Sequence, residues 1–160
     1  MSDFNHRQRG YTLIELIAVI VIIGILSAVI GPRFFSNTTF SERGYADELA
    51  AALRLTQTTA INSGCDASLQ ITTSAYLAQQ RAASVSVIPP CATSGAWSTP
   101  ILRTDGSALN GTKPTGVSLS PARRIVFNPQ GHVTGATPPT FTIGSFTLHI
   151  DAYSGMVTVQ

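Results

Sequence analysis

From Tyr11 to Gly31 the chain is apolar and carries one charge, Glu15. At 1.5 Å per helical residue this run would span about 30 Å, the thickness of a bilayer's hydrocarbon core, and it predicts a membrane helix over 11–31. Proline lacks a backbone donor and crowds the turn before it, so a kink or local unwinding is expected at Gly31 and Pro32, with Gly24 as a second soft point. Over 32–64 the pattern becomes amphipathic. Tyr45, Leu49, Ala52, Leu53, Thr56 and Ala60 recur at three- and four-residue steps, while Glu42, Arg43, Asp47, Glu48 and Arg54 take the other faces. Thr39 or Ser41 is expected to cap a fresh start within this helix, and Asn62-Ser63-Gly64 to end it. Together the two segments predict one long, bent helix of about 50 residues.

Beyond Gly64 the period changes to alternating β-branched residues among Thr, Ser, Gly and Pro. Strands are predicted over 67–72, 76–79, 84–88, 100–103, 116–119, 124–128, 140–143, 146–151 and 156–159. Asn128-Pro129-Gln130-Gly131 and Asp151-Ala152-Tyr153-Ser154-Gly155 read as turns, and the second joins the last two strands as a closing hairpin. Polar loops are expected over 91–99, 104–115 and 135–139. The fold class is α+β: a long N-terminal kinked helix, with a membrane half and an amphipathic half, packed on an antiparallel β-rich head over 65–160.

A carboxylate near the start of a membrane helix costs a few kcal/mol unless it finds a partner, so Glu15 is the first candidate functional residue. Ahead of it, residues 1–10 form a short polar leader with Arg7 and Arg9. That positive flank favours cytoplasmic retention of the leader and export of the chain beyond Gly31, an asymmetry softened by Arg33 and Arg43. No good Ala-x-Ala-like site precedes Pro32, so the apolar segment is expected to be retained. The string Arg9-Gly10-Tyr11-Thr12-Leu13-Ile14-Glu15 before an apolar run resembles the class III signal of type IV pilins and type II secretion pseudopilins.

The resemblance implies that a prepilin peptidase cuts after Gly10 and methylates the new amino terminus at Tyr11, where the family usually has Phe. It further implies a single-pass inner-membrane protein with a periplasmic head. Its partners would be other pilin or pseudopilin subunits and an inner-membrane assembly platform. Cleavage would free an α-amino group with an unperturbed pKa near 8. If Glu15 of one subunit reaches that group on a neighbour, both buried charges are paired, and mis-registered stacking leaves both unpaired at a cost of roughly 3 to 5 kcal/mol. Glu15 would thereby set the assembly register. The alternative reading is a signal-anchor helix whose Glu15 lies at the head-group level.

Composition adds little to this picture. The formal charge is +2, from ten Lys plus Arg against eight acids, and without Arg7, Arg9 and Asp3 the balance is eight against seven. It does not argue for an anionic partner. Two cysteines, Cys65 and Cys91, lie on the side expected to be exported, where a disulfide is the simplest reading, and such a bond would contribute roughly 3 kcal/mol. His132 and His149 stand alone, no nucleophile or phosphate motif is present, and Asp66, Asp105 and Asp151 have no calcium-loop spacing. An enzyme, a metal or a cofactor is therefore not expected.

The head resembles the GspH/FimT-type pseudopilin and minor pilin domain in three places. These are the Ala-rich helix leading into Asn62-Ser63-Gly64-Cys65, the Ile125-Val126-Phe127-Asn128 strand before a Gly131 turn, and the terminal hairpin. The stretches Gly24-Ile25-Leu26 and Pro32-Arg33-Phe34 additionally look like pilins of the mannose-sensitive haemagglutinin (MSHA) type. These resemblances imply a minor structural subunit of a type IV pilus, with a type II secretion pseudopilin as the alternative. Two further alternatives are a membrane-anchored periplasmic domain that never polymerises and a minor pilin that captures DNA. DNA capture would call on Arg81, Arg103, Lys113, Arg123 and Arg124, with Trp97 and Tyr76 to stack on bases.

Overall fold

The computed structural model describes residues 11–34, 37–81, 91–92, 94–135 and 139–160, without the side chains of 28–37. The leader with Gly10, the strand predicted over 84–88 and part of the 135–139 loop lie outside the described residues. The chain divides into two compact units, 1–37 and 38–160.

In the first unit, α1 runs from Leu13 to Phe34. Thr12 starts it: its Oγ1 accepts the Glu15 amide at 3.3 Å, and its carbonyl accepts the Glu15 and Leu16 amides at 3.1 and 3.2 Å. Thr12 is thus an N-cap, satisfying a donor that the first helical turn cannot satisfy from within. The helix continues past Gly31 and Pro32, so the interruption expected there is not a helix end. A proline in the last turn forfeits one backbone bond while the turn itself persists. A second helix, α2, begins at Asn37 and ends at Ser63, which places Thr39 and Ser41 inside it rather than at its start. Gly64 comes next at φ 66°, the left-handed conformation that closes a helix and that a side chain disfavours.

The second unit is built on α2 and two antiparallel sheets. One has the order β3-β2-β1-β6, formed by Trp97–Pro100, Ala75–Arg81, Ala67–Ile71 and Arg123–Phe127, with β4 (Asn110–Thr112) also paired to β2. The other is β5-β7-β8-β9, formed by Leu119–Ser120, Thr140–Ile143, Phe146–Ile150 and Val157–Val159. β3 and β4 share one edge of β2, one opposite Gln79 to Arg81 and the other opposite Ala75 to Leu77. Apart from Pro100, both lie in stretches where the sequence predicts loops, because neither shows apolar alternation; the strand expected over 100–103 is reduced to Pro100 and an isolated bridge between Leu102 and Ala108. The closing hairpin is β8 and β9, with Leu148 opposite Val159 and Ile150 opposite Val157.

The core lies between α2 and the sheets. Tyr45, Leu49, Ala52, Leu53, Thr56 and Ala60 are all buried, so the helical stripe read from the sequence is the packed face. They join Leu69, Ile71, Phe127, Phe141, Ile143, Leu148 and Ile150 in the interior of the head. Along β1, Ala67, Leu69 and Ile71 belong to this core, so Ser68 and Gln70 lie on the opposite face of the strand. Polar contacts tie α2 to the turns around it. Glu42 Oε2 accepts the Ser145 amide and hydroxyl at 3.2 Å each, and Arg54 Nη2 donates to the Val157 carbonyl at 2.8 Å. Gln57 Nε2 donates to the carbonyls of Gly131 and Ser154 at 2.9 and 2.7 Å.

Candidate assembly segment and head surfaces

The described part of α1 is apolar on every side and covered on none. Leu13, Ile14, Leu16, Ile17, Val19, Ile20, Val21, Ile22, Ile23, Ile25 and Leu26 are all exposed. Burying one such side chain is worth about 1.5 to 3 kcal/mol, so this helix requires a covering of lipid or of other apolar helices. Among the described residues no helix is long and apolar enough to cross a membrane. The part of α1 with described side chains, from Leu13 to Ser27, falls short of the ~20 residues a span needs, although the apolar sequence itself continues through Val29 and Ile30.

At the head of this surface Tyr11 is 78 % exposed and Glu15 is exposed in the first helical turn. The positive end of the helix dipole favours a carboxylate at that position. Glu15 forms no ion pair among the described residues, whose ion pair is Arg43 with Asp47 at 3.1 Å. Sequence reasoning overlooked Thr12. The signal was present as Thr12-Leu13-Ile14-Glu15, the Thr-x-x-Glu spacing of a helix start, which places Glu15 in the third helical position. Gly31 and Pro32 lie within α1.

In the head, Cys65 and Cys91 form a disulfide with their Cα atoms 5.3 Å apart, tying the end of α2 to a residue 26 positions on. Closing a loop of that length restricts the unfolded chain by roughly 3 kcal/mol. Reduction, or the Cys65→Ser/Cys91→Ser double variant, should lower the thermal midpoint by about 10 °C, measured by circular dichroism with and without reductant.

Several residues proposed for nucleic-acid contact have other employment. Tyr76 is buried, and its hydroxyl donates to Glu48 Oε1 at 2.6 Å; burial first, and that bond second, push its phenol above the usual range. Its ring cannot stack on a base from there. Arg103 donates to the carbonyls of Ala108 and Asn110 at 3.1 and 2.7 Å, and Lys113 to those of Pro114 and Val117. Arg81 and Arg124 instead converge on Trp97, 4.3 and 5.4 Å from its ring centre. The sequence shows only that Arg123 and Arg124 are neighbours, and strand neighbours point apart. The meeting of Arg81 with Arg124 depends on the register of β2, β1 and β6 and had no local signal.

His132 and His149 are exposed and far apart in the fold's order, one in the turn after β6 and the other on β8. Among the described residues no group of three or more His, Cys, Asp or Glu side chains is placed to hold a metal ion.

Comparison with known proteins respects the same division. Residues 5–31 match the prokaryotic N-terminal methylation motif, and residues 45–160 match the family described as type II transport protein GspH. The chain is 52 % identical over 48 residues to the type IV narrow pilus major component PilA5 of Thermus thermophilus, covering 30 % of this chain and 41 % of that protein. It is 44 % identical over 57 residues to the type IV major pilin PilA of Myxococcus xanthus, covering 36 % and 26 % of the two chains. It thus spans less than half the length of these relatives. Two solved structures share the fold. The minor pilin FimU of Pseudomonas aeruginosa superposes with TM-score 0.54 at 17 % identity over 74 % of this chain and 91 % of its own. The minor pseudopilin EpsH of Vibrio cholerae superposes with TM-score 0.53 at 20 % identity over 75 % and 96 %. With a methylation motif at its head and a GspH domain over most of its length, the chain belongs to the GspH-like family of type IV pilins and type II secretion pseudopilins.

Proposed function

We propose that the chain is a prepilin, cut after Gly10 and methylated at Tyr11, that joins a type IV pilus as a minor structural subunit. The observation that carries this reading is the surface of α1, apolar all round and headed by a capped turn with one carboxylate, Glu15, that has no ion-pair partner among the described residues. Such a surface fits a helix that passes from lipid into a bundle of identical or related helices. There the amino group of Tyr11 on one subunit meets Glu15 on another. The family is membrane-anchored and assembled into filaments, and a single pass through the inner membrane with a periplasmic head suits the basic leader of residues 1–10. The role is structural rather than catalytic. Its partners are the prepilin peptidase, other pilin or pseudopilin subunits and the inner-membrane assembly platform.

Intact and N-terminal peptide mass spectrometry on membranes from cells with and without the peptidase tests this. A chain that begins at Tyr11 and carries one added methyl is expected only when the peptidase is present. A chain that keeps its leader beside an active peptidase would overturn the reading in favour of a membrane anchor that never polymerises. The secretion pseudopilus is a second reading, supported by the GspH family match and by 42 % identity over 39 residues to the type II secretion core protein G of Pectobacterium carotovorum. That match covers 24 % of this chain and 25 % of the relative. Loss of surface filaments on deleting this chain favours the pilus; loss of protein export with filaments intact favours the pseudopilus.

A further inference from the structure

On the face of the five-stranded sheet opposite the core, Arg81 of β2 and Arg124 of β6 reach toward each other across β1. Between them lies Ser68, small enough to let the longer side chain cross, and its hydroxyl accepts Arg124 Nη1 at 2.8 Å. Trp97 of β3 offers its ring to both guanidinium groups. Arg81 also donates from Nη1 to the Gly95 carbonyl, but its Nε is buried with no hydrogen-bond partner among the described residues. Leaving such a donor unsatisfied costs free energy, and holding two like charges together adds to that cost. Burial first, and the charge of Arg81 second, lower the pKa of Arg124.

Among the described residues no carboxylate forms an ion pair with either guanidinium. Asp66, just before β1, forms no ion pair, and the segments outside the described residues carry one acid, Asp3 in the leader. The other acids of the head are engaged elsewhere. Glu42 is bonded to Ser145, Asp47 to Arg43, Glu48 to Tyr76, Asp105 to Ser107 and Asp151 to Ser154.

We propose that Arg81 and Arg124, held against Trp97, form a receptor for a carboxylate on an acidic side chain of a neighbouring subunit. Two planar guanidinium forks suit one oxyanion bound through paired hydrogen bonds. A phosphodiester strand would instead need a row of free cations, and Arg103 and Lys113 are bonded to their own loops. The inference rests on the filament reading for the identity of the partner, but the site can be tested without a filament.

Trp97 is the only tryptophan of the chain, so its emission reports on the site directly. The full-length chain in detergent micelles is titrated with a short oligoglutamate peptide, and separately with single-stranded oligothymidylate of equal charge. The peptide is expected to shift Trp97 emission saturably and less strongly as salt rises. Arg81→Gln and Arg124→Gln should each weaken that binding about tenfold, and Arg81→Lys, which keeps the charge but loses the fork, should weaken it nearly as much. No saturable shift, or a shift equal in wild type and Arg81→Lys, overturns the site. Tighter binding of the oligonucleotide, lost in the same variants, overturns the carboxylate and assigns the pair to nucleic acid. None of these outcomes alters the N-terminal processing result, so failure of the site and failure of the filament reading remain separate.

Discussion

Glu15→Ala should leave the chain processed and membrane-bound yet reduce its recovery in sheared filaments by about two orders of magnitude or more. Among the described residues the carboxylate forms no ion pair, and the dipole of its own first turn favours it. Assembly would set a neighbour's amino group beside it as an opposite charge. Once both groups are surrounded by apolar helices, removing one strands the other, at roughly 3 to 5 kcal/mol per subunit, and a tenfold change in equilibrium needs about 1.4 kcal/mol. The same substitution removes a charge from an apolar helix, so the amount in the membrane should stay level or rise. That opposition between filament and membrane fractions, read by immunoblot, distinguishes a register role from general instability. Equal recovery in filaments would sink the register role.

Thr12→Ala provides an internal comparison, since it removes the cap beside Glu15 and keeps the charge. A lost N-cap costs about 1 kcal/mol, so its effect on filaments should be several-fold at most.

How much could be read from the sequence depends on how local each determinant is. The buried stripe of α2 was legible because Tyr45, Leu49, Leu53, Thr56 and Ala60 repeat with the helical period, and burial tracks that period. The strands β1, β7, β8 and β9 alternate and were placed to within a residue or two. β3 and β4 were not, because Trp97-Ser98-Thr99-Pro100 and Asn110-Gly111-Thr112 owe their extended backbone to the edge of β2 rather than to their own side chains. Pro32 weakens a helix locally, yet α1 continues past it to Phe34. The pair Arg81 and Arg124 was beyond sequence reasoning altogether, since three strands and their register must be known before the two residues can be set against Trp97.

Gly155→Val should destabilise the head by about 4 kcal/mol, a fall of more than about 10 °C in the thermal midpoint. Gly155 sits at φ +67° in the turn between β8 and β9, where its amide donates to the Asp151 carbonyl at 2.8 Å. A β-branched residue is strongly disfavoured in that conformation. A side chain there would also have nowhere to go: the first carbon would collide with the Gly131 carbonyl and with the amide of Gln57. Those are the groups through which α2 grips the two turns, Gln57 donating to Gly131 and Ser154 at once. Displacing them breaks two hydrogen bonds worth about 1 kcal/mol each in addition to the backbone strain. Gln57→Ala isolates the second contribution, because it removes both bonds and leaves Gly155 unstrained, and it should cost about half as much. If Gly155→Val melted with wild type, the turn would have to be supported by something other than its contact with α2. If Gln57→Ala were as damaging as Gly155→Val, the clamp rather than the backbone conformation would hold the hairpin in place.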